Sequence, residues 1–228
     1  MPTTVTPQYL LEGAVYALEQ CGFLLRDAAH LYQNHSYASS VALAAFAREE
    51  LGRWKILLAM RKEALSGTKS TLEDIEKRCG DHLRKQSEGM LSTTMRTDRV
   101  TGLGKLLETR IKAKPGSEER IAADEQVDKL DRLKEKRVPG ERHHERMAAL
   151  YVDPISLSEW NRPVEKISQQ SAHDFLQDAR NDYVIQCDRY SNFEVRRVDD
   201  PELYAALEKW LDRPELPTAA SEIDFPKI

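Results

Sequence analysis

The stretch YASSVALAAFAREELGRWKILLAM, residues 37–60, decides the fold class because it reads as one long, Ala-rich helix. Two adjacent glutamates, Glu49 and Glu50, lie in its middle. Residues on one face of a helix recur at spacings of three, four, seven or eight. This spacing places Glu50 in the apolar stripe with Phe46 and Trp54, and it turns Glu49 toward packed surface as well.

A carboxylate on a packed face needs hydrogen bonds, a cation or a proton, because burying it without partners costs several kcal/mol. Glu49 and Glu50 are therefore candidates for a functional site. The alternative interpretation is a structural ion pair or a helix edge open to water. The solvent face of the same helix is predicted to carry Arg48 and Lys55, which lie seven residues apart.

The composition limits the classes of protein that this chain can represent. Of its 228 residues, 40% are hydrophobic and 32% are charged, which is typical of a helical protein with solvated faces. The net charge of −4 excludes a globally basic surface, so any RNA contact would need a local patch. The three separated cysteines favour a reduced cytoplasm, and no signal peptide or membrane-spanning stretch is present. We therefore expect a cytoplasmic protein without membrane contact.

Helical periodicity extends over most of the chain and predicts an all-α, antiparallel helical bundle. Residues 1–212 are predicted to form a single domain with an irregular helical insertion at about 96–145, followed by an extended or disordered tail at 213–228. Pro139-Gly140 is predicted to end a highly charged helix, and Ser70–Glu73 is predicted to cap another. The predicted helices cover about residues 7–34, 36–66, 70–90, 117–137, 168–197 and 201–211.

His82 lies on or beside the apolar face of the third predicted helix, three residues after Cys79. Because the second and third helices should be antiparallel neighbours, a carboxylate on one and this imidazole on the other could meet. A carboxylate partner fixes the imidazole tautomer and raises its pKa, as a general acid or base needs. Nearby Arg78, Arg84 and Lys85 are candidate phosphate-binding residues. The alternative is a hydrogen-bonded core histidine.

A second basic cluster is KEKRVPGERHHERM, residues 134–147, which brings local positive charge to an acidic protein. Arg142, His143 and Arg146 are its candidate phosphate-binding residues, and their binding would be mainly electrostatic and salt-sensitive. The alternative is a solvated loop, since charged runs usually face water.

Metal and cofactor motifs are absent from the sequence. It has no His-Glu-x-x-His, no phosphate loop and no Gly-x-Ser-x-Gly, and AREELGRW, residues 47–54, lacks the Glu-x-x-His partner of a di-iron carboxylate bundle. We expect neither a metal nor a cofactor, and a carboxylate metal bundle is kept as the weakest alternative.

Three segments together resemble the AbiV family of abortive-infection proteins. SYASSVALAAFAREELGRWKILL, residues 36–58, is similar to an Ala-rich helix with a Glu-Glu-Leu-Gly-Lys motif, which here ends in Arg53. DHLRKQ, residues 81–86, resembles the family's His-x-x-Lys element and places His82 and Lys85 on it. RMAALYVDPISLSEWNRP resembles a third element, whose matching positions are Arg146, Leu150, Tyr151, Val152, Asp153, Trp160 and Pro163.

The resemblance implies a domain of the HEPN type (higher eukaryotes and prokaryotes nucleotide-binding), an all-α fold that often dimerises. Many HEPN proteins are metal-independent ribonucleases of defence systems, and AbiV-like proteins stop phage propagation by blocking translation. The implied partners are RNA or the translation machinery, a second copy of the chain and a phage-encoded activator protein.

The chain departs from the wider HEPN pattern of an Arg followed, four to six residues later, by a His on a late helix. The match from Arg137 to His143 or His144 crosses Pro139-Gly140 and is predicted not to be helical. Arg180 begins such a motif on the late helix, but no His follows at the required spacing.

The leading hypothesis is therefore a cytoplasmic antiviral effector that cleaves RNA without a metal. Its catalytic set would be Glu49, Glu50 and His82, with Glu50 orienting His82 or sharing a proton with Glu49. The competing hypothesis is a non-catalytic helical module that blocks translation or senses a phage protein through protein contacts, with both glutamates in a structural network.

Overall fold

A computed structural model of the chain describes residues 4–89, 116–156, 159–191 and 200–211, with isolated positions between 109 and 114. Its helices confirm the predicted all-α bundle. They are α1 (Pro7–Gln33), α2 (Tyr37–Leu65), α3 (Leu72–Gly80), α4 (His82–Gly89), α5 (Glu118–Leu150), α6 (Pro163–Lys166), α7 (Gln169–Ser191) and α8 (Pro201–Leu211). The predicted tail at 213–228 and the part of the predicted insertion at 96–108 lie outside the described residues, so the domain boundaries stay predictions.

The first two helices form a long antiparallel hairpin. Thr6 caps α1 by accepting a hydrogen bond from the Tyr9 amide at 3.1 Å, and Pro7 occupies the first helical turn. Ser40 on α2 donates to the Ala28 carbonyl of α1 at 2.8 Å and is fully buried. Alanines along both helices let the two backbones approach, and buried residues of both helices belong to the hydrophobic core.

The second helix is the centre of the bundle, since α1, α4, α5 and α7 all pack against it. The prediction that Arg48 lies on a solvent face is wrong, because its side chain is 2% exposed and its guanidinium lies 2.7 Å from Asp182 of α7. A helix covered on several sides has no fully solvated face, so its periodicity alone could not place Arg48.

The predicted third helix divides into two. It ends at Gly80, and Asp81 has an extended backbone before α4 begins at His82. The capping box is formed by Thr71 and Asp74, one residue later than the predicted Ser70–Glu73 box. The break turns α4 onto α2, whereas a continuous helix would have carried His82 along the axis of α3.

The fifth helix is continuous from Glu118 to Leu150, so the predicted break at Pro139-Gly140 is wrong. The prediction that the match from Arg137 to His143 or His144 is not helical is wrong for the same reason, since all three residues lie on this helix. An interior proline costs about 3 kcal/mol of helix stability and does not by itself end a helix. The last turns of α5 carry two buried arginines: Arg142 pairs with Asp178 of α7, and Arg146 pairs with Glu49 of α2.

The segment predicted to be extended or looped forms a small antiparallel hairpin of β1 (Asp153–Ser156) and β2 (Glu159–Asn161). Its register pairs Asp153 with Asn161 and Pro154 with Trp160. The chain then returns along α7, whose predicted apolar face is buried in the core. The buried members of that face are Phe175, Ala179, Tyr183 and Cys187.

Among the described ranges, we find no helix with the length and apolar character needed to cross a membrane.

Candidate functional site

Glu49 of α2 is the centre of a polar cluster built from three separate segments of the chain. Its Oε2 lies 2.6 Å from His82 Nδ1 and 3.2 Å from Lys85 Nζ. Its Oε1 lies 3.3 Å from the Arg146 guanidinium and accepts a hydrogen bond from Gln86 Nε2 at 3.3 Å. We call these five residues the Glu49 cluster. Both carboxylate oxygens are therefore engaged by donors or cations from α4 and α5.

The close approach of α4 to α2 makes this arrangement possible. A Cβ added at Gly52 would lie 1.8 Å from the Lys85 carbonyl oxygen, and one added at Gly89 would lie 2.4 Å from the Arg48 carbonyl oxygen. Only glycine at these two contacts lets the helix backbones touch. Because Gly52 is one turn from Glu49, it positions the Glu49 carboxylate within reach of His82 and Lys85.

The electrostatics of the cluster favour an ionised Glu49. Burial of this side chain, which is 3% exposed, opposes ionisation. The hydrogen bond from His82 and the charges of Lys85 and Arg146 outweigh the burial, so the pKa of Glu49 falls below its usual value. Two buried cations face this one carboxylate, which leaves an excess of positive charge at the cluster.

His82 is the part of the cluster that reaches solvent. Its side chain is 48% exposed, whereas those of Lys85 and Arg146 are 5% and 8% exposed. Since Nδ1 is bound to Glu49, the Nε2 atom is the one available to a ligand. The arrangement is that of an imidazole oriented by a buried carboxylate, as in acid–base sites.

His143 lies at the edge of the same cluster. Arg146 Nη2 is 3.5 Å from His143 Nδ1. Partial burial and the charges of Arg146 and His82 lower the pKa of His143, which favours its neutral form. A guanidinium donor beside Nδ1 favours the tautomer with the proton on Nε2, which can then donate to a ligand.

Glu50 lies on a different face of α2. Its nearest cation is Arg53 at 3.3 Å, and it lines a cleft of about 360 Å³ together with Tyr9 and Tyr16 of α1. Burial raises the pKa of Glu50 despite the charge of Arg53. The prediction that Glu50 orients His82 is therefore wrong, and Glu49 has that position.

The predicted phosphate-binding residues fall into two groups. Lys85, His143 and Arg146 belong to or border the Glu49 cluster, and Arg84 lies exposed on α4 two residues from His82. Arg78 lies on α3, paired with Glu63 at 2.9 Å. Of these residues, Lys85, His143 and Arg146 lie at the cluster with His82, whereas Arg84, two residues after His82 on the same helix, points about 200° away from it.

Arg142 does not fit the predicted role of binding phosphate, because it is 3% exposed and ion-paired with fully buried Asp178. Its guanidinium also lies 4.6 Å from the centre of the Phe175 ring. This position is typical of a buried structural pair.

Two kinds of residue in the site were not predicted. Gln86 follows His82 by four residues, so helical spacing on α4 was the signal that could have found it. Gly52 stands inside the quoted helix, and a glycine between bulky helical neighbours signals close backbone approach. In the parts of the chain that the structure describes, no group of three His, Cys, Asp or Glu side chains has a metal-binding arrangement.

Comparison with protein families supports the resemblance noted in the sequence. The model of the AbiV family, a HEPN family, matches residues 9–182, a range that includes every residue of the Glu49 cluster. No curated protein and no solved structure matched the chain. Because the family match covers well over half of the 228 residues, the chain belongs to the AbiV family of HEPN proteins, and this membership indicates a role in abortive infection.

Proposed function

We propose that this protein is a bacterial anti-phage effector that acts on RNA or on translation as a metal-independent ribonuclease. The observation that carries the proposal is the half-exposed His82 imidazole, held 2.6 Å from the buried Glu49 carboxylate beside Lys85 and Arg146. An oriented imidazole and local positive charge are the two elements that transesterification of a phosphodiester requires.

In the proposed reaction, neutral His82 takes the proton of a ribose 2′-hydroxyl through Nε2. The 2′-oxygen then bonds to the adjacent phosphorus, the bond from phosphorus to the 5′-oxygen breaks, and that oxygen takes a proton from water. The products are a 2′,3′-cyclic phosphate and a 5′-hydroxyl end, and His82 returns its proton to solvent. The Glu49 carboxylate stabilises the imidazolium that forms, without itself taking the proton.

The cations have two roles in this proposal. The charges of buried Lys85 and Arg146 keep Glu49 ionised, and they make the interior of the site positive. His143 at the edge of the cluster is more accessible and would contact phosphate oxygens through Nε2. Phosphate binding should therefore weaken as the salt concentration rises.

The test is cleavage of RNA in the presence of a chelator by the wild type and by His82→Ala. We expect His82→Ala to lose about 10²- to 10⁴-fold in rate, the typical contribution of a general acid or base. His30→Ala is the matched control, because His30 is exposed on α1 outside the Glu49 cluster, and this variant should cleave at the wild-type rate. Equal cleavage by wild type and His82→Ala would remove His82 from the mechanism.

A second candidate function is a non-catalytic helical module that blocks translation or senses a phage protein through protein contacts. The burial of Lys85 and Arg146 favours it, since buried cations around one carboxylate also form structural networks. Phage protection in cells separates the two candidates: the ribonuclease needs His82, whereas the module should protect normally with His82→Ala.

The setting of the activity is part of the same proposal. We propose that the protein acts in the cytoplasm as a homodimer and that a phage-encoded protein activates it. Size measurement in solution tests the dimer, and co-expression of single phage genes with the protein tests the activator.

A further inference from the structure

Two arginines on consecutive turns of α5 form ion pairs with two different helices. Arg142 is 3% exposed and pairs with fully buried Asp178 of α7. Four residues later, Arg146 lies 3.3 Å from Glu49 of α2, and its other amine lies 3.5 Å from His143 Nδ1. Residues four apart on a helix share one side of it, a single turn from each other. The contacts of Arg142 therefore constrain where Arg146 can stand.

The guanidinium of Arg142 is held at three points. Its Nη2 pairs with Asp178, and its Nη1 donates to Glu145 at 3.1 Å. Its carbon Cζ lies 4.6 Å from the centre of the Phe175 ring, within the range of a cation–π contact. Phe175 and Asp178 are three residues apart on α7, so they lie on one side of that helix. The planar guanidinium thus fixes one turn of α5 against one turn of α7.

The backbone of α5 gives this turn limited support. Pro139 has no amide hydrogen, so one hydrogen bond of the helix is missing three residues before Arg142. Gly140, which follows, is among the residue types least favourable to a helix. Residues 140–150 therefore depend on side-chain contacts with other helices for their position.

A buried ion pair is better suited to fixing a position than to raising stability. The cost of removing both charges from water roughly offsets their attraction, and an apolar pair of similar volume is often as stable. The charged groups meet in only one arrangement, whereas apolar side chains can shift against each other. The alternative is a pair that supports the fold in general, which would make Arg142 and Asp178 equivalent to Arg48 and Asp182.

We propose that the ion pair of Arg142 with Asp178 positions Arg146 at the Glu49 cluster. His143, which Arg146 contacts, is placed by the same pair. Neither Arg142 nor Asp178 is exposed to a ligand, so both are positioning residues. The inference rests on the proposed ribonuclease function, because it assigns residues that keep the site of that reaction in shape. Without the pair, the last turns of α5 would shift, and Arg146 would move away from Glu49 and His143.

The experiment uses a double variant of the full chain, Arg142→Met with Asp178→Leu, called the α5–α7 variant. Replacing both charges by apolar groups leaves neither one unpaired in the core, so this variant should fold. It removes one positive and one negative charge together, so its direct electrostatic effect on His143 is small. The matched control variant is Arg48→Met with Asp182→Leu, which removes a similarly buried pair one turn away on α7.

The readout is the titration of the His143 imidazole, followed by NMR. In the wild type, partial burial and the charges of Arg146 and His82 hold the pKa of His143 below its usual value, against the attraction of Glu49. We expect the titration midpoint of His143 to rise in the α5–α7 variant, because Arg146 leaves its side. The midpoint should keep its wild-type value in the control variant.

A second variant, Arg142→Lys, keeps the buried charge and therefore the fold. A lysine cannot bond Asp178 and Glu145 in one plane, so the His143 midpoint should rise here as well, by less than in the α5–α7 variant. An unchanged midpoint in the folded α5–α7 variant would overturn the proposal, and so would an equal rise in the control variant. If the α5–α7 variant does not fold, an unchanged midpoint in Arg142→Lys overturns it.

The result can be separated from a failure of the ribonuclease proposal. If the wild type cleaves RNA, the α5–α7 variant should lose about tenfold to 10²-fold in kcat, a typical effect of displacing a group in a site. The control variant should keep most of the wild-type kcat. If the wild type cleaves no RNA, the ribonuclease proposal fails, and the titration of His143 still decides whether the pair positions the Glu49 cluster.

Discussion

Arg48 and Glu49 are consecutive residues of α2, yet they belong to two different kinds of buried charge. Arg48 and its partner Asp182 are 2% and 0% exposed, so this pair is closed to water. Glu49 is equally buried, but its partner His82 is 48% exposed. The difference shows that adjacent residues of one helix can have different roles. Arg48 forms a structural ion pair with α7, whereas Glu49 orients an accessible imidazole of α4.

The contrast follows from the residues that α7 and α4 place against α2. On the α7 side, Asp178 and Asp182 are one turn apart and each meets an arginine, Arg142 or Arg48, inside the core. On the α4 side, the short helix begins at His82 and leaves its first turn at the surface. A fully buried ion pair can act only through the fold that it stabilises, whereas His82 of the Glu49 cluster can exchange a proton with a ligand.

The largest expected effect is on stability and concerns the closed pair. Arg48→Ala should lower the free energy of unfolding by about 3–5 kcal/mol, because Asp182 would stay buried without its cation. His82→Ala should change it by less than about 1 kcal/mol, since that side chain is half exposed. Urea denaturation followed by circular dichroism measures both. Arg26→Ala removes an exposed pair with Asp27 and is the control; similar losses in all three variants would contradict the distinction.

The next effect concerns the helix contact that builds the Glu49 cluster. Gly52→Ala should lower stability by about 1–3 kcal/mol and reduce RNA cleavage, because the new Cβ would push α4 away from α2. Denaturation and cleavage rates measure the two effects. The control is Gly80→Ala, where an added Cβ meets no atom within 4 Å. If Gly52→Ala cleaves RNA normally, the close helix contact is not needed for the site.

The pH dependence of stability should separate the Glu49 cluster from the rest of the molecule. The pKa of Glu49 is lower in the folded state than its usual value, so its contribution is present at neutral pH and is lost as the pH falls through the folded pKa. Glu49→Gln should be less stable than wild type at pH 7, and this gap should narrow in acid. Denaturation series at several pH values measure it. A gap that stays constant with pH would contradict the prediction.

The smallest expected effect has the opposite sign and concerns Glu50. Its pKa is raised by burial, so ionised Glu50 opposes folding at pH values above the folded pKa. Glu50→Gln should raise stability at pH 7 by less than about 1 kcal/mol, because its exposed contact with Arg53 is lost at the same time. The gain should disappear in acid. Lower stability of Glu50→Gln at neutral pH would show that the Arg53 contact outweighs burial.

Much of the fold was predictable because helices are local. The spacing of apolar residues and the Pro and Ser signals placed α1, α2, α7 and α8 close to their observed bounds. The errors were at Gly80 and at Pro139-Gly140, where the signals for a break are ambiguous.

The residue types of the site were predicted from the sequence, but the predicted carboxylate partner of His82 was wrong. The segments that carry Glu49, His82 and Arg146 were each singled out, but Glu50 was assigned the position that Glu49 holds. Adjacent residues on a helix differ by about 100° in direction, so the choice depends on where the neighbouring helix lies. The hydrophobic periodicity of a helix shows which residues share a face, but it does not show which neighbouring helix packs against that face.

The sequence by itself determined that the chain forms long helices and which acids, histidines and arginines lie on them, because helix formation depends on nearby residues. Only the tertiary structure decided that Arg48 pairs with buried Asp182 and that Glu49 meets His82. Each of these contacts joins residues far apart in sequence or on separate elements. Their geometry is set by how closely two backbones approach, as Gly52 allows for α2 and α4.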